Sequence, residues 1–205
     1  MASYPTSKEF ERWFGKSQVV NPDGSPMRVY HITPANFSTF RAGGMNPMLS
    51  GKAIWLSPTP ERTNAAHNTM HPKFKKNVMQ PHPEMIETPE GRRMYEGTNM
   101  MPLYVRAENP LDLWTDYDVE SKPNLLAAMK AVNLYVRTVG LPTSSVVLEP
   151  VELARAKELG YDSIITRTTD NESIWEIVVF SPNQVKSAIG NRGTYSRRDN
   201  NILNG

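Results

Sequence analysis

The run Ser173-Ile-Trp-Glu-Ile-Val-Val-Phe180 constrains this chain more than any other stretch. Ile174, Trp175, Ile177, Val178, Val179 and Phe180 are apolar, β-branched or aromatic, and they fill both faces of a period-two element. The stretch reads as a buried strand, and Glu176 interrupts it. An unpaired carboxylate inside such a strand would be strongly destabilising or forced neutral. Glu176 is therefore either salt-bridged or part of a site that uses a poorly solvated acid. The plainer alternative sets it on the wet face of an edge strand.

Other elements follow from local signals. Thr6-x-x-Glu9 reads as a capping box that opens a short helix with Phe10, Trp13 and Phe14 on its apolar face and Gly15 as its stop. Residues 17–20 and 27–33 read as two strands of a hairpin around the turn Asn21-Pro-Asp-Gly24. His31 then lies near a strand end, on the face of Met27 and Val29. Residues 53–56 form a short apolar strand, and Pro58-Thr-Pro60-Glu61 opens a helical stretch to about His67. From about 68 to 101 neither period holds, which predicts a long loop insertion. Strand character returns over 102–107 and stops at Asn109-Pro110. Leu125, Met129, Val132 and Val136 recur at helical spacing, with Gly140 and Pro142 beyond them. A second helix is expected from Pro150 to Leu159, a strand over 161–166, a last helix from Pro182 to Ala188, and a polar tail from about 191. Helices and strands are interleaved and the strand links include hairpins, so the fold class is α+β in a single domain over 1–205.

Composition excludes more than it selects. With no cysteine, disulfides and thiolate catalysis are ruled out. Twenty-three basic against 21 acidic residues leave a net charge of +2, too small an excess to argue for nucleic acid. No apolar run reaches membrane-spanning length, and the first residues lack the apolar core of a signal peptide, so a cytoplasmic protein with no membrane partner is the expectation. No Walker loop, dinucleotide-binding Gly-x-Gly-x-x-Gly or nucleophile elbow is present.

His67-x-x-x-His71 has helical metal-ligand spacing, but Asn68 stands where a zinc hydrolase needs glutamate, Pro72 ends any helix, and no third ligand is apparent. No metal is expected. Lys73-Phe-Lys-Lys76 and Arg92-Arg93, with Phe74 and Tyr95 between them, suit phosphates and bases, although a charged loop is more often plain surface. The methionines at 70, 79, 85, 94, 100 and 101 follow no stripe and suit an adaptable contact surface.

Taken in chain order, several segments resemble one family. Glu11-Arg-Trp-Phe-Gly15 and Val20-Asn-Pro-Asp-Gly24 resemble its lead-in, and Val29-Tyr-His-Ile-Thr33 its Tyr-His-Gly-Thr strand. Gly51-Lys-Ala-Ile-Trp-Leu-Ser57 resembles its second strand, and Leu159-Gly-Tyr-Asp-Ser-Ile-Ile165 its Gly-Tyr-Asp-Gly stretch. Glu176-Ile-Val-Val-Phe180, Gln184-Val-Lys-Ser-Ala188 and Gly190-Asn191 resemble its glutamate strand and trailer. The chain thus resembles an ADP-ribosyltransferase domain of the His-Tyr-Glu type, like PARP and diphtheria toxin, and most of all the version in phage and prophage polyvalent proteins.

That resemblance implies two small antiparallel sheets splayed around an NAD cleft, with flanking helices. It implies a mono-ADP-ribosyltransferase that uses NAD as substrate and modifies a macromolecular acceptor, a host protein first and nucleic acid as the alternative. It implies action in a bacterial host cell after phage delivery. By the same resemblance Glu176 is the catalytic acid and His31 holds the adenosine-side ribose. The backbone of Ile32 meets the nicotinamide carboxamide, and Thr63 is a candidate partner for that group. Thr33, Trp55, Ser57 and His67 complete the NAD-binding set. Departures are Ile32 and Ser163 in place of glycines, Trp55 in place of tyrosine, and Ala66-His67 where a second stacking tyrosine is usual. These departures leave a second reading, a catalytically degenerate module of the same fold, of phage origin, that serves in binding or interaction rather than catalysis.

Overall fold

Helix α1 spans Lys8–Phe14 and begins at Ser7, whose extended backbone and hydroxyl cap the Phe10 N–H at 3.2 Å. Serine is the better N-cap of the two neighbours Thr6 and Ser7, and the start falls one residue later than the expected box. Gly15 closes the helix with φ at +59°. Phe10 meets Tyr104 and Tyr195 edge-on, each with centroids 5.1 Å apart, and Trp13 donates to the Asn183 carbonyl at 3.2 Å. The apolar stripe read from the sequence is thus the buried face.

The computed structural model describes residues 4–33, 37–40, 53–61, 85–87, 93–95, 99–114, 136–138, 144–146, 150–167 and 173–204. Within these, the strands are β1 (Val29–Thr33), β2 (Ile54–Leu56), β3 (Met85–Glu87), β4 (Arg93–Tyr95), β5 (Asn99–Val105), β6 (Pro110–Trp114), β7 (Val136–Thr138), β8 (Ser144–Val146), β9 (Ser163–Arg167), β10 (Ile174–Val179) and β11 (Val185–Ser187). A second helix, α2, spans Pro150–Glu158. Two sheets make the body of the fold. One has the order β1-β5-β11 and is antiparallel throughout; the other has the order β2-β10-β9-β6 and is antiparallel except for the parallel pair β6–β9. The strands β3 and β4, and β7 and β8, form separate two-stranded pairs. The fold is α+β, with few helices and two larger, mostly antiparallel sheets among the described residues.

Alternation within the strands accounts for the layers. Val29, Leu103, Val105 and Val185 of the first sheet meet Ile54, Leu56, Ile165, Ile177 and Val179 of the second in one core. The opposite face of the second sheet, with Ala53, Leu111, Ile164, Val178 and Phe180, packs on Leu153 and Ala156 of α2. The other face of the first sheet carries Tyr104 into the aromatic cluster under α1.

Several expectations are corrected. Residues 17–20 and 27–33 do not form a hairpin ladder: only Val20 bridges Pro26, and β1 pairs with β5. The 17–20 segment is held instead by Ser17, whose hydroxyl donates to the Val105 carbonyl at 2.8 Å, and by the Gln18 N–H on Ala107. The predicted loop over 68–101 contains β3 and β4 and the start of β5. Asn109-Pro110 opens a strand rather than ending the region; proline is tolerated at the first position of an edge strand, which β6 is. Val136, read as the last apolar position of a helix, lies in β7, and the rest of that expected helix lies outside the described residues. The expected helix over 182–188 is one 3₁₀ turn, Pro182–Gln184, followed by β11. Its side chains suit either state, and β5 offers an open edge that decides for the strand. Among the described residues no helix is long and apolar enough to cross a membrane.

Candidate active site

Beyond their shared core, the two sheets are also joined by a backbone bridge. Tyr30 of β1 and Ser57, just past β2, exchange backbone hydrogen bonds of 2.8 and 3.0 Å. Pairing between β1 and β2 stops there. In an antiparallel ladder the next bond would run from the Ile32 N–H to the Trp55 carbonyl. That carbonyl is taken instead by the His31 imidazole, whose Nδ1 lies 2.9 Å away. The ring acts as a wedge that parts the strands.

Two consequences follow from this wedge. A carbonyl can only accept, so Nδ1 carries the proton and Nε2 of the neutral ring presents a lone pair. Burial holds the His31 imidazole below its ordinary 6.5, and the bond to Trp55 opposes that shift. The ring is also fixed by Phe40, which meets it edge-on with centroids 5.0 Å apart. Second, backbone groups alternate along a strand, and those of Tyr30 point toward β2. Ile32, two residues on, turns its N–H and carbonyl into the same fork, while its side chain is buried.

Glu176 lies on the far side of β2. The strand β10 is central, flanked by β2 and β9, so the edge-strand alternative falls away, and Glu176 is only 7% exposed. The β2–β10 register ends with Ile177 opposite Leu56. One further step sets Ser57 opposite Glu176. On the other side Glu176 stands opposite Thr166 of β9.

A β-bulge decides which way the carboxylate faces. One residue of β10, Trp175, separates Ile174 from Glu176, while their partners Arg167 and Thr166 are adjacent. The extra residue reverses the alternation at that point. Ile174 consequently points into the inter-sheet core with Ile177, whereas Glu176 shares its face with Val178 and Trp55. Without the bulge, Ile174 and Glu176 would compete for one face.

His31, Trp55 and Ser57 are thus joined along the seam of β1 and β2, with the Ile32 backbone and buried Thr33 beside them. Glu176 is one register step from Ser57. Strand alternation turns His31 to the inter-sheet side, with Val29, and Glu176 to the side of Val178. Thr63 and His67 lie outside the described residues, as do His71 and the basic stretch 73–76. Among the described residues no group of three His, Asp or Glu side chains is arranged to hold a metal ion. One neighbour escaped the sequence reading: Thr166, a hydroxyl at the end of Ser163-Ile-Ile-Thr166. Pairing that strand with the glutamate strand through the 168–172 connection would have revealed it.

A family model described as ADP-ribosyltransferase in polyvalent proteins matches residues 21–195. No curated protein and no solved structure matches the chain.

Proposed function

This chain belongs to the ADP-ribosyltransferases of polyvalent proteins, and we propose that it is an active mono-ADP-ribosyltransferase: it moves ADP-ribose from NAD to a macromolecular acceptor and releases nicotinamide. The observation that carries this reading is the fork at the β1–β2 seam, with a neutral imidazole on one side and a buried carboxylate one register step beyond the other.

The dinucleotide crosses the fork over the end of β2. On the His31 side, Nε2 accepts a hydrogen bond from a hydroxyl of the adenosine ribose. The Ile32 N–H and carbonyl, which no β2 partner occupies among the described residues, suit the two polar atoms of a carboxamide. Ile32 replaces the usual glycine, and its side chain is buried. Trp55 offers an aromatic face to the nicotinamide ring. Ser57 and Thr33 line the seam, and Thr63 and His67 are assigned to the same site by resemblance alone.

Glu176 does the chemical work. It accepts the hydrogen bond of the nicotinamide-ribose 2′-hydroxyl and fixes the sugar. Breaking the bond from C1′ to the nicotinamide nitrogen sends the electron pair onto that nitrogen and leaves positive charge on the sugar. A fixed anion favours charge that is present only in the transition state. The acceptor's nucleophile then bonds to C1′ and loses its proton, and inversion or retention at C1′ is left to the acceptor's approach. The acceptor is assigned as a host protein, met in the bacterial cytoplasm after phage delivery.

Glu176→Gln keeps the shape and removes the charge. It is expected to abolish labelled ADP-ribose transfer from NAD into cell lysate while the thermal midpoint stays within a few degrees of wild type. Wild-type turnover in that variant would remove the role given to Glu176. The degenerate reading is favoured by Ala66-His67 in place of a second tyrosine; it predicts no labelled product and no protection by NAD on heating.

A further inference from the structure

We infer that Thr166 is a positioning residue for Glu176: with NAD bound, its hydroxyl donates a hydrogen bond to the Glu176 carboxylate and holds the acid toward the ribose. This rests on the reading of Glu176 as the acid that acts on NAD.

Three observations carry it. The Thr166 hydroxyl is buried and has no hydrogen-bond partner among the described residues. Buried hydroxyls are almost always bonded, because leaving one unmade forfeits its water without replacement. Second, Thr166 stands directly opposite Glu176 in the β9–β10 register. Directly opposed residues share a face, with Cβ atoms about 4.5–5.5 Å apart. Third, the pair sits at the bulge, where β10 departs from regular pairing and the orientation of Glu176 is set.

The local chemistry selects threonine over its isostere. The two residues before it in β9, Ile164 and Ile165, are fully buried and apolar. Valine would fill the same volume without an orphaned oxygen. A threonine there is explained by a bond that forms only in the working site. Glu176 already has interactions of its own, and rotation about its side-chain bonds carries the carboxylate between neighbours on one face. Neutral hydroxyl to carboxylate is a charge-assisted bond, stronger than an ordinary one.

The test compares Thr166→Val, Thr166→Ser and Glu176→Gln, following nicotinamide release from NAD in the presence of lysate, with thermal unfolding measured alongside. Thr166→Val is expected to unfold at the wild-type temperature or above it, to keep KM for NAD within about twofold, and to lose roughly tenfold in kcat. Thr166→Ser retains the hydroxyl and is expected within about twofold of wild type. A kcat unchanged in Thr166→Val overturns the inference. So does a clear drop in its unfolding temperature, since that would mean the hydroxyl is already bonded in the resting fold. An inactive Glu176→Gln beside an unaffected Thr166→Val sinks the Thr166 role alone. An active Glu176→Gln sinks the reading of the site itself.

Discussion

His31 performs two jobs with one ring: its Nδ1–H replaces a ladder bond, and its neutral state leaves Nε2 able to accept. That state ties the site to pH. The folded imidazole titrates below the ordinary 6.5 because of burial. Below about pH 6.5 the unfolded chain takes up a proton that the folded chain resists, so this contribution to stability is complete above that pH and is lost as pH falls through the folded value. Thermal unfolding should therefore show a falling midpoint from about pH 6.5 downward. The His31→Gln variant should lose that part of the slope, because glutamine can donate to Trp55 without titrating. A slope unchanged in His31→Gln would assign it to other groups. The type of residue at this position was legible from Val29-Tyr-His-Ile-Thr33. The wedge was not, because it depends on which carbonyl the ring meets.

At the scale of elements, β1, β2, β5, β9 and β10 were legible as strands, whereas β3, β4, β6, β7, β8 and β11 were not, and neither were the strand partners. The two-faced apolar pattern of 174–180 marked a buried strand, and β10 is central with apolar layers on both faces. The bulge at Trp175 carries no local signature; with it, β10 pairs with both Arg167 and Thr166 while Ile174 lies in the core. Gly15 was legible as a stop, and the structure adds why no other residue suits it. Its φ is +59°, and a Cβ there would run into the Glu108 carboxylate, which is held by Arg197 at 2.9 Å. Gly15→Ala should cost about 1–3 kcal/mol from backbone strain. Urea unfolding is the check, and a loss under about 0.5 kcal/mol, typical of an ordinary surface change, would contradict it.

At the scale of the molecule, Lys186 closes the fold. It is fully buried, and its ammonium donates to the carbonyls of Asp199, Asn201 and Asn204 at 2.8, 2.9 and 2.7 Å. Burial draws its pKa below the ordinary lysine value, while Asp199 resists. The segment it grips bridges Thr39 through Asn201, Ile202 donates to the Ser38 carbonyl at 2.7 Å, and neighbouring Phe40 braces His31. Lys186→Met leaves three carbonyls without their donor. It should cost about 3–5 kcal/mol and lower the unfolding midpoint by roughly 10 °C; a midpoint within about 2 °C of wild type would contradict the cage. What the sequence determined by itself was local: that 29–33, 54–56, 102–105, 163–166 and 174–179 are strands, that Gly15 stops a helix, and that an acid lies inside an apolar run, because periodicity and φ preference act between near neighbours. What only the tertiary structure decided was pairing. It placed β1 on β5 rather than in a hairpin, made 185–187 a strand, set Thr166 opposite Glu176, and turned a surface-like lysine inward, since each of these depends on a partner that is distant in the chain or on the state of that partner's edge.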